Sequence, residues 1–174
     1  MCIRDSCYIA SVKIVRRFAS RLDETVKYVY ELFDGEYIES VLMKYEHGYT
    51  VCISTQVGCR MGCSFCASGI NGLTRSLTAS EMLAQITAAQ RDNGIRISNV
   101  VMMGMGEPLD NFDNSVRFLK LVSDENGLNI GLRHISLSTS GVVSGIKKLK
   151  EYNFPITLSI SLHAPNDEIR SSIM

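Results

Sequence analysis

From residue 49 onward the chain repeats one order of elements: apolar strand, loop, amphipathic helix. That order restricts the fold more than any other feature, because βαβ repetition builds a parallel sheet with helices laid against it. The first strand is expected at 49–55. A helix follows, opened by Thr78 with Glu81 three residues later as a capping box and closed at Asn93-Gly94. Val100-Val101-Met102-Met103 is apolar throughout, as a strand covered on both faces should be. A helix near 112–124 comes next, before the stop signal Asn126-Gly127. Ile135-Ser136-Leu137-Ser138-Thr139 is the third strand, a short helix near 142–151 carries Ile146 and Leu149 on one face, and Ile156 to Ser161 forms the fourth strand.

Residues 11–48 read differently. Val26 to Phe33 and Tyr37 to Leu42 alternate in period two around Asp34-Gly35, which is a β-hairpin signature. The expected class is therefore α/β: a partial, TIM-like (β/α) barrel of about four βα units over 49–174, preceded by a small N-terminal hairpin region over 11–48. A complete eight-unit barrel takes roughly 250 residues, so a chain ending at Met174 is expected to be incomplete and to expose a sheet edge. Residues 1–10 continue neither periodicity. They are read as a non-native leader, and Cys2 and Cys7 are given no function.

The chemistry concentrates in Cys59-Arg60-Met61-Gly62-Cys63-Ser64-Phe65-Cys66. A C-x3-C-x2-C loop offers three thiolates to a four-iron cluster and leaves one iron without a protein ligand, open to a cofactor such as S-adenosylmethionine. The alternative is a structural zinc site, which closes a tetrahedron with four Cys or His ligands and would enlist Cys52 as the fourth. Paired C-x2-C spacing, the usual zinc pattern, is missing. No secretory signal or transmembrane run is visible, so a disulfide framework is disfavoured and a reducing cytoplasmic setting is expected. Eighteen basic residues balance eighteen acidic ones, so net charge gives no support for nucleic-acid binding; Lys13, Arg16, Arg17 and Arg21 form a local basic run that ordinarily means a solvated face.

Four motifs now stand in order. Cys52-Ile53-Ser54-Thr55-Gln56-Val57-Gly58-Cys59 runs into Cys63-Ser64-Phe65-Cys66; Gly104-Met105-Gly106-Glu107-Pro108 follows, then Leu137-Ser138-Thr139-Ser140-Gly141-Val142-Val143, then Ser161-Leu162-His163-Ala164-Pro165-Asn166. Together they closely resemble the radical S-adenosylmethionine RNA methyltransferases that modify adenine at carbon 2, from about residue 12 to the end.

The resemblance implies a radical SAM barrel with a [4Fe-4S] cluster held by Cys59, Cys63 and Cys66, and S-adenosylmethionine contacted by Gly106, Glu107, Ser138, Ser161, Leu162 and His163. It implies catalytic roles for Glu39, as a proton acceptor, and for Cys52, as the thiol that resolves a methyl-cysteine intermediate by forming a disulfide with a second, distant cysteine. The implied substrate is an adenine of 23S ribosomal RNA, with transfer RNA as a further substrate of the family, and the implied partner is an external electron donor. Taken singly, these residues read more plainly: Glu107 as a solvated turn carboxylate, Glu39 as a surface hairpin residue, Cys52 as a small buried strand residue, and His163 as structural.

No cysteine follows Cys66, so the methyl-accepting thiol is missing and this polypeptide is expected to be unable to complete a methyl transfer. Two alternatives stand beside the main reading. One is the sister group that methylates carbon 8 of adenine and confers antibiotic resistance, against which Gln56-Val57-Gly58, Glu107-Pro108 and Ser140-Gly141 speak. The other is a zinc-stabilised, non-catalytic RNA-binding module.

Overall fold

A computed structural model describes residues 11–174. The expected leader at 1–10 lies outside the described residues. Seven strands make one sheet: β1 (Lys13–Ala19), β2 (Val26–Glu31), β3 (Tyr37–Tyr45), β4 (Gly48–Cys52), β7 (Ile97–Met102), β8 (Ile135–Thr139) and β9 (Thr157–Ile160), in that spatial order. β5 (Gln56–Gly58) and β6 (Leu73–Ser76) form a separate two-stranded ribbon. The helices are α1 (Ala79–Asn93), α2 (Phe112–Val122), α3 (Val143–Glu151) and α4 (Asp167–Ile173).

β4, β7, β8 and β9 pair in parallel, so the four βα units read from the sequence are the four present. α1 begins and ends where its signals place it. The Thr78 hydroxyl accepts the Glu81 N–H at 3.3 Å, Glu81 Oε2 accepts the Thr78 N–H at 2.8 Å, and Gly94 closes the helix in the left-handed region. Tyr28, Tyr30, Ile38, Val51, Val100, Met102 and Leu137 point to the helix side of the sheet and are buried with Met82, Ile86, Phe118 and Leu119. Burying each large apolar side chain contributes about 1.5–3 kcal/mol, which is why the helix side is the continuous core.

The hairpin at 26–42 is present, yet it is not a detached element. β1 adds antiparallel to β2, and β3 pairs antiparallel with β4 from Val41↔Cys52 to Tyr45↔Gly48, so one sheet runs from β1 to β9. The helix side ties the extension down: the Tyr28 hydroxyl donates to Asp92 at 2.7 Å, and Arg17 Nε donates to the same carboxylate at 2.9 Å. At the other end β9 is the last strand in the sheet order, with Leu158 and Ile160 exposed. No helix among the described residues is long and apolar enough to cross a membrane.

Candidate radical SAM site

The C-terminal ends of parallel strands face one rim, where side chains from successive loops can meet. The cysteine loop springs from that rim and is closed at its base by the β5–β6 ribbon, with Cys59 N–H donating to the Gly72 carbonyl at 3.0 Å. Gly58 makes that closure possible. Its φ is +76°, and a Cβ there would overlap the Gly72 carbonyl oxygen. Arg60 Nε donates to Asp110 at 2.8 Å, anchoring the loop to the segment before α2.

Cys59, Cys63, Cys66, Gly106, Glu107, Ser138, Ser161 and His163 line one cavity of about 310 Å³. All the rim positions singled out in the sequence are thereby brought together, except Leu162, which is 62% exposed and lies off the cavity wall. Cys52 and Glu39 also lie elsewhere. Cys52 lines a larger cavity of about 570 Å³ on the open face of the sheet, and the two cavities adjoin at Met103. Glu39 lines a third, of about 260 Å³, beside Ala67 and Ser68 just past the last loop cysteine, and pairs with Lys27 at 2.9 Å.

Glu107 is the most constrained of these groups. It is buried, its Oε1 accepts the Leu109 N–H at 3.0 Å, its Oε2 accepts the Ser140 N–H at 2.7 Å, and its own N–H donates to Gln56 Oε1 at 2.8 Å. The solvated-turn reading of this carboxylate therefore fails. Gly106 has φ +95° and its α-carbon sits where a side chain would overlap Gln56; at Gly104 a Cβ would come within 2.7 Å of the Ile53 carbonyl. These glycines let the loop after β7 lie flat against the loop after β4.

Sequence reasoning missed the frame behind the cavity. Gln56 is fully buried, and its Nε2 donates to Asp110 at 2.8 Å and to the Ser76 hydroxyl at 3.3 Å while its Oε1 holds the Glu107 amide. Arg170 of α4 donates to the Ser140 and Ser161 carbonyls, binding the loops after β8 and β9. Ser138 and Ser161 hydroxyls stand 3.4 Å apart, and Phe65 packs edge-on against His163 with ring centroids 4.8 Å apart. His163 adopts φ +54°, a conformation uncommon for a residue with a side chain. A buried glutamine next to a cysteine loop was the available signal for the frame; its partners lie twenty or more residues away.

The electrostatics suit thiolates that need a positive partner. Burial pushes the Cys59 thiol up, against a backbone hydrogen bond at Met61, and the neighbouring Cys66, Cys63 and Glu107 push it the same way. Bringing three thiolates and a carboxylate to one cavity is costly without a cation or cluster among them. The three thiols share the cavity, and among the described residues no group of His, Cys, Asp or Glu is drawn together to hold a single metal ion. Three thiolates around one opening match a cluster that takes one thiolate per iron.

The Radical SAM superfamily model matches residues 53–174. The chain belongs to that superfamily. Radical SAM membership implies a [4Fe-4S] cluster and S-adenosylmethionine, and the donor set just described fits both. Among curated relatives, this radical SAM chain is 55% identical over 172 residues to the probable dual-specificity RNA methyltransferase RlmN of Clostridium tetani (strain Massachusetts / E88), covering 99% of the chain and 49% of the relative. It is 60% identical over 162 residues to the protein of the same name in Alkaliphilus metalliredigens (strain QYMF), covering 93% of the chain and 46% of the relative. Among solved structures, a radical SAM methyltransferase from Sphaerobacter thermophilus superposes with a TM-score of 0.89 at 48% identity, over 94% of this chain and 49% of the other. The chain thus spans about half the length of the relatives it matches.

Proposed function

We propose that this chain is the cluster- and cofactor-binding part of an RNA methyltransferase that methylates carbon 2 of adenine in 23S ribosomal RNA and in transfer RNA, in the cytoplasm, with an external electron donor. One observation carries the reading: four motifs distant in sequence line a single cavity at one rim of the sheet. The bound cluster and S-adenosylmethionine would supply radical chemistry; the protein's part is to hold, orient and shield them. Cys59, Cys63 and Cys66 are the cluster ligands in this reading, and Gly106, Glu107, Ser138, Ser161, Leu162 and His163 are the cofactor-binding set. Glu107 serves as an ammonium acceptor, for which its carboxylate is already fixed by two backbone amides. Glu39 is the proton acceptor. Cys52 is the resolving thiol, and its position on the open face supports that role, since Met103 lines both its cavity and that of the cysteine loop.

The zinc alternative enlists Cys52 as fourth ligand, whereas Cys52 lies off the wall of the cysteine cavity. The test is anaerobic reconstitution with iron and sulfide. A brown, air-sensitive protein is expected, with Cys63→Ala abolishing the chromophore; unchanged iron content in that variant overturns the ligand assignment. For the full protein, mass spectrometry of digested RNA locates the methyl group at carbon 2, and a carbon-8 product overturns the choice between the two adenine groups.

A further inference from the structure

The basic run near the N-terminus is divided by the sheet into two faces. Register pairs Arg17 with Tyr28 on the helix side, where the guanidinium is committed to Asp92. Arg16 pairs with Val29, and Phe18 pairs with Lys27, on the opposite, open face. Following the register across the sheet gives one row of neighbours: Phe18, Lys27, Val41, Cys52, Val101 and Ser136. The next row holds Arg16, Val29 and Glu39. At about 4.8 Å per strand, Phe18 stands roughly 14 Å from Cys52 along that row.

This face has the composition of a single-strand platform. Phe18 is 51% exposed and Tyr37 is 50% exposed on the same side, although large aromatic side chains are ordinarily buried. Lys13, Arg16 and Lys27 stand among them, against the carboxylates Glu31 and Glu39. Lys13–Glu31 and Lys27–Glu39 are solvent-exposed pairs, which are weak and readily exchanged, and Arg16 has no ion-pair or hydrogen-bond partner among the described residues. Aromatic faces stack bases while neighbouring cations follow the phosphates, and stacking of that kind takes unpaired strands rather than duplex.

We propose that the open face of β1–β3 is a track for single-stranded RNA leading to Cys52, with Phe18 and Tyr37 stacking bases and Arg16 and Lys27 holding phosphates. The assignment rests on the RNA methyltransferase reading and adds the surface that reading lacks. The track brings the strand past Glu39 and along the row that contains the thiol.

Fluorescence anisotropy with a labelled single-stranded oligoribonucleotide tests it on the full protein. Phe18→Ala is expected to weaken binding about tenfold, with Phe18→Tyr retaining it. Arg16→Gln is expected to lower the salt dependence of binding by about 0.7 in the log–log slope, as for one phosphate contact. Arg17→Gln, on the helix side, is expected to bind RNA like the parent, and circular dichroism confirms that each variant is folded. If the parent binds RNA and Phe18→Ala and Arg16→Gln bind it equally well, the track is overturned while the methyltransferase reading stands. Equal binding of duplex overturns the stacking role. If the parent binds no RNA, both readings fall.

Discussion

Ser140, just past the end of β8, donates its backbone N–H to Oε2 of Glu107, in the loop after β7, at 2.7 Å. The bond joins two rim loops through a buried carboxylate, so Glu107 shapes the cavity as well as facing it. In Glu107→Gln, turning the amide nitrogen toward either partner sets a donor against a donor. Leaving a buried N–H unmet costs about 1–3 kcal/mol. A lower denaturation midpoint and weaker S-adenosylmethionine binding by equilibrium dialysis are expected together; an unchanged midpoint would show that the loops do not depend on this carboxylate.

Two glycines separate backbone freedom from space. Gly62 and Gly106 both have positive φ, +76° and +95°, but a Cβ at Gly62 meets nothing within 4 Å and one at Gly106 overlaps Gln56. Gly62→Ala is therefore expected to cost only the left-handed penalty of about 1–2 kcal/mol, and Gly106→Ala more, because Gln56 must give up its hold on the Glu107 amide. Urea denaturation of both variants checks the ranking.

Acid stability is expected to depend on Arg75. Its guanidinium contacts Asp34 at 2.6 Å and Glu81 at 2.8 Å, and its own pKa is raised chiefly by the bond to Glu81. Asp34 is held below the usual carboxylate range, mainly by Arg75. At Glu81 burial pushes upward, and the hydrogen bonds from Arg75 and Thr78 outweigh it, so the net shift is also downward. A carboxylate depressed on folding adds stability above its unfolded pKa, near 4, and that stability disappears as pH falls through the folded value. The denaturation midpoint should fall below about pH 4.5, and Glu81→Gln should flatten that acid limb while lowering stability at neutral pH. An acid limb of unchanged slope in Glu81→Gln would count against the network.

Cys52 should be a slow thiol in the resting protein. Burial raises its pKa, with a backbone hydrogen bond at Met103 opposing, so less thiolate is present at neutral pH than for a free cysteine. Peptide-resolved iodoacetamide labelling across pH is expected to place its half-maximal rate above pH 8.5, the ordinary thiol value. Rapid labelling at pH 7 would contradict the geometry of its cavity.

Much of the fold was legible because its signals are local. Thr78 and Glu81 are three residues apart, Asn93-Gly94 marks the end of the same helix, and the apolar run at Val100–Met103 announces a strand. The expectation that this strand is covered on both faces is corrected: among the described residues Val100 and Met102 are buried on the helix side, whereas Val101 and Met103 line the cavity on the open face. β1 and the β5–β6 ribbon were harder to see. β1 carries exposed residues at nearly every position, which erases the alternation expected of a strand, and Gln56-Val57-Gly58 is too short to show a period. Of the candidate site residues, the cysteines, Gly106, Glu107, Ser138, Ser161 and His163 were named from the sequence and meet at one cavity. Gln56 stood in a motif with no site role assigned and Arg170 was not singled out, since their roles depend on partners up to 54 and 30 residues away.

The βα order, the helix ends and the three-thiol spacing are legible from the residues alone, because each follows from interactions between near neighbours in the chain. Tertiary structure alone decided that Cys52 faces a cavity adjoining the cysteine loop rather than lining it, that Glu107 is buried between two loops, and that Arg16 and Arg17 serve opposite faces of one sheet. Those outcomes depend on strand register, where a slip of one residue reverses every side chain, and register is set by the whole buried face at once.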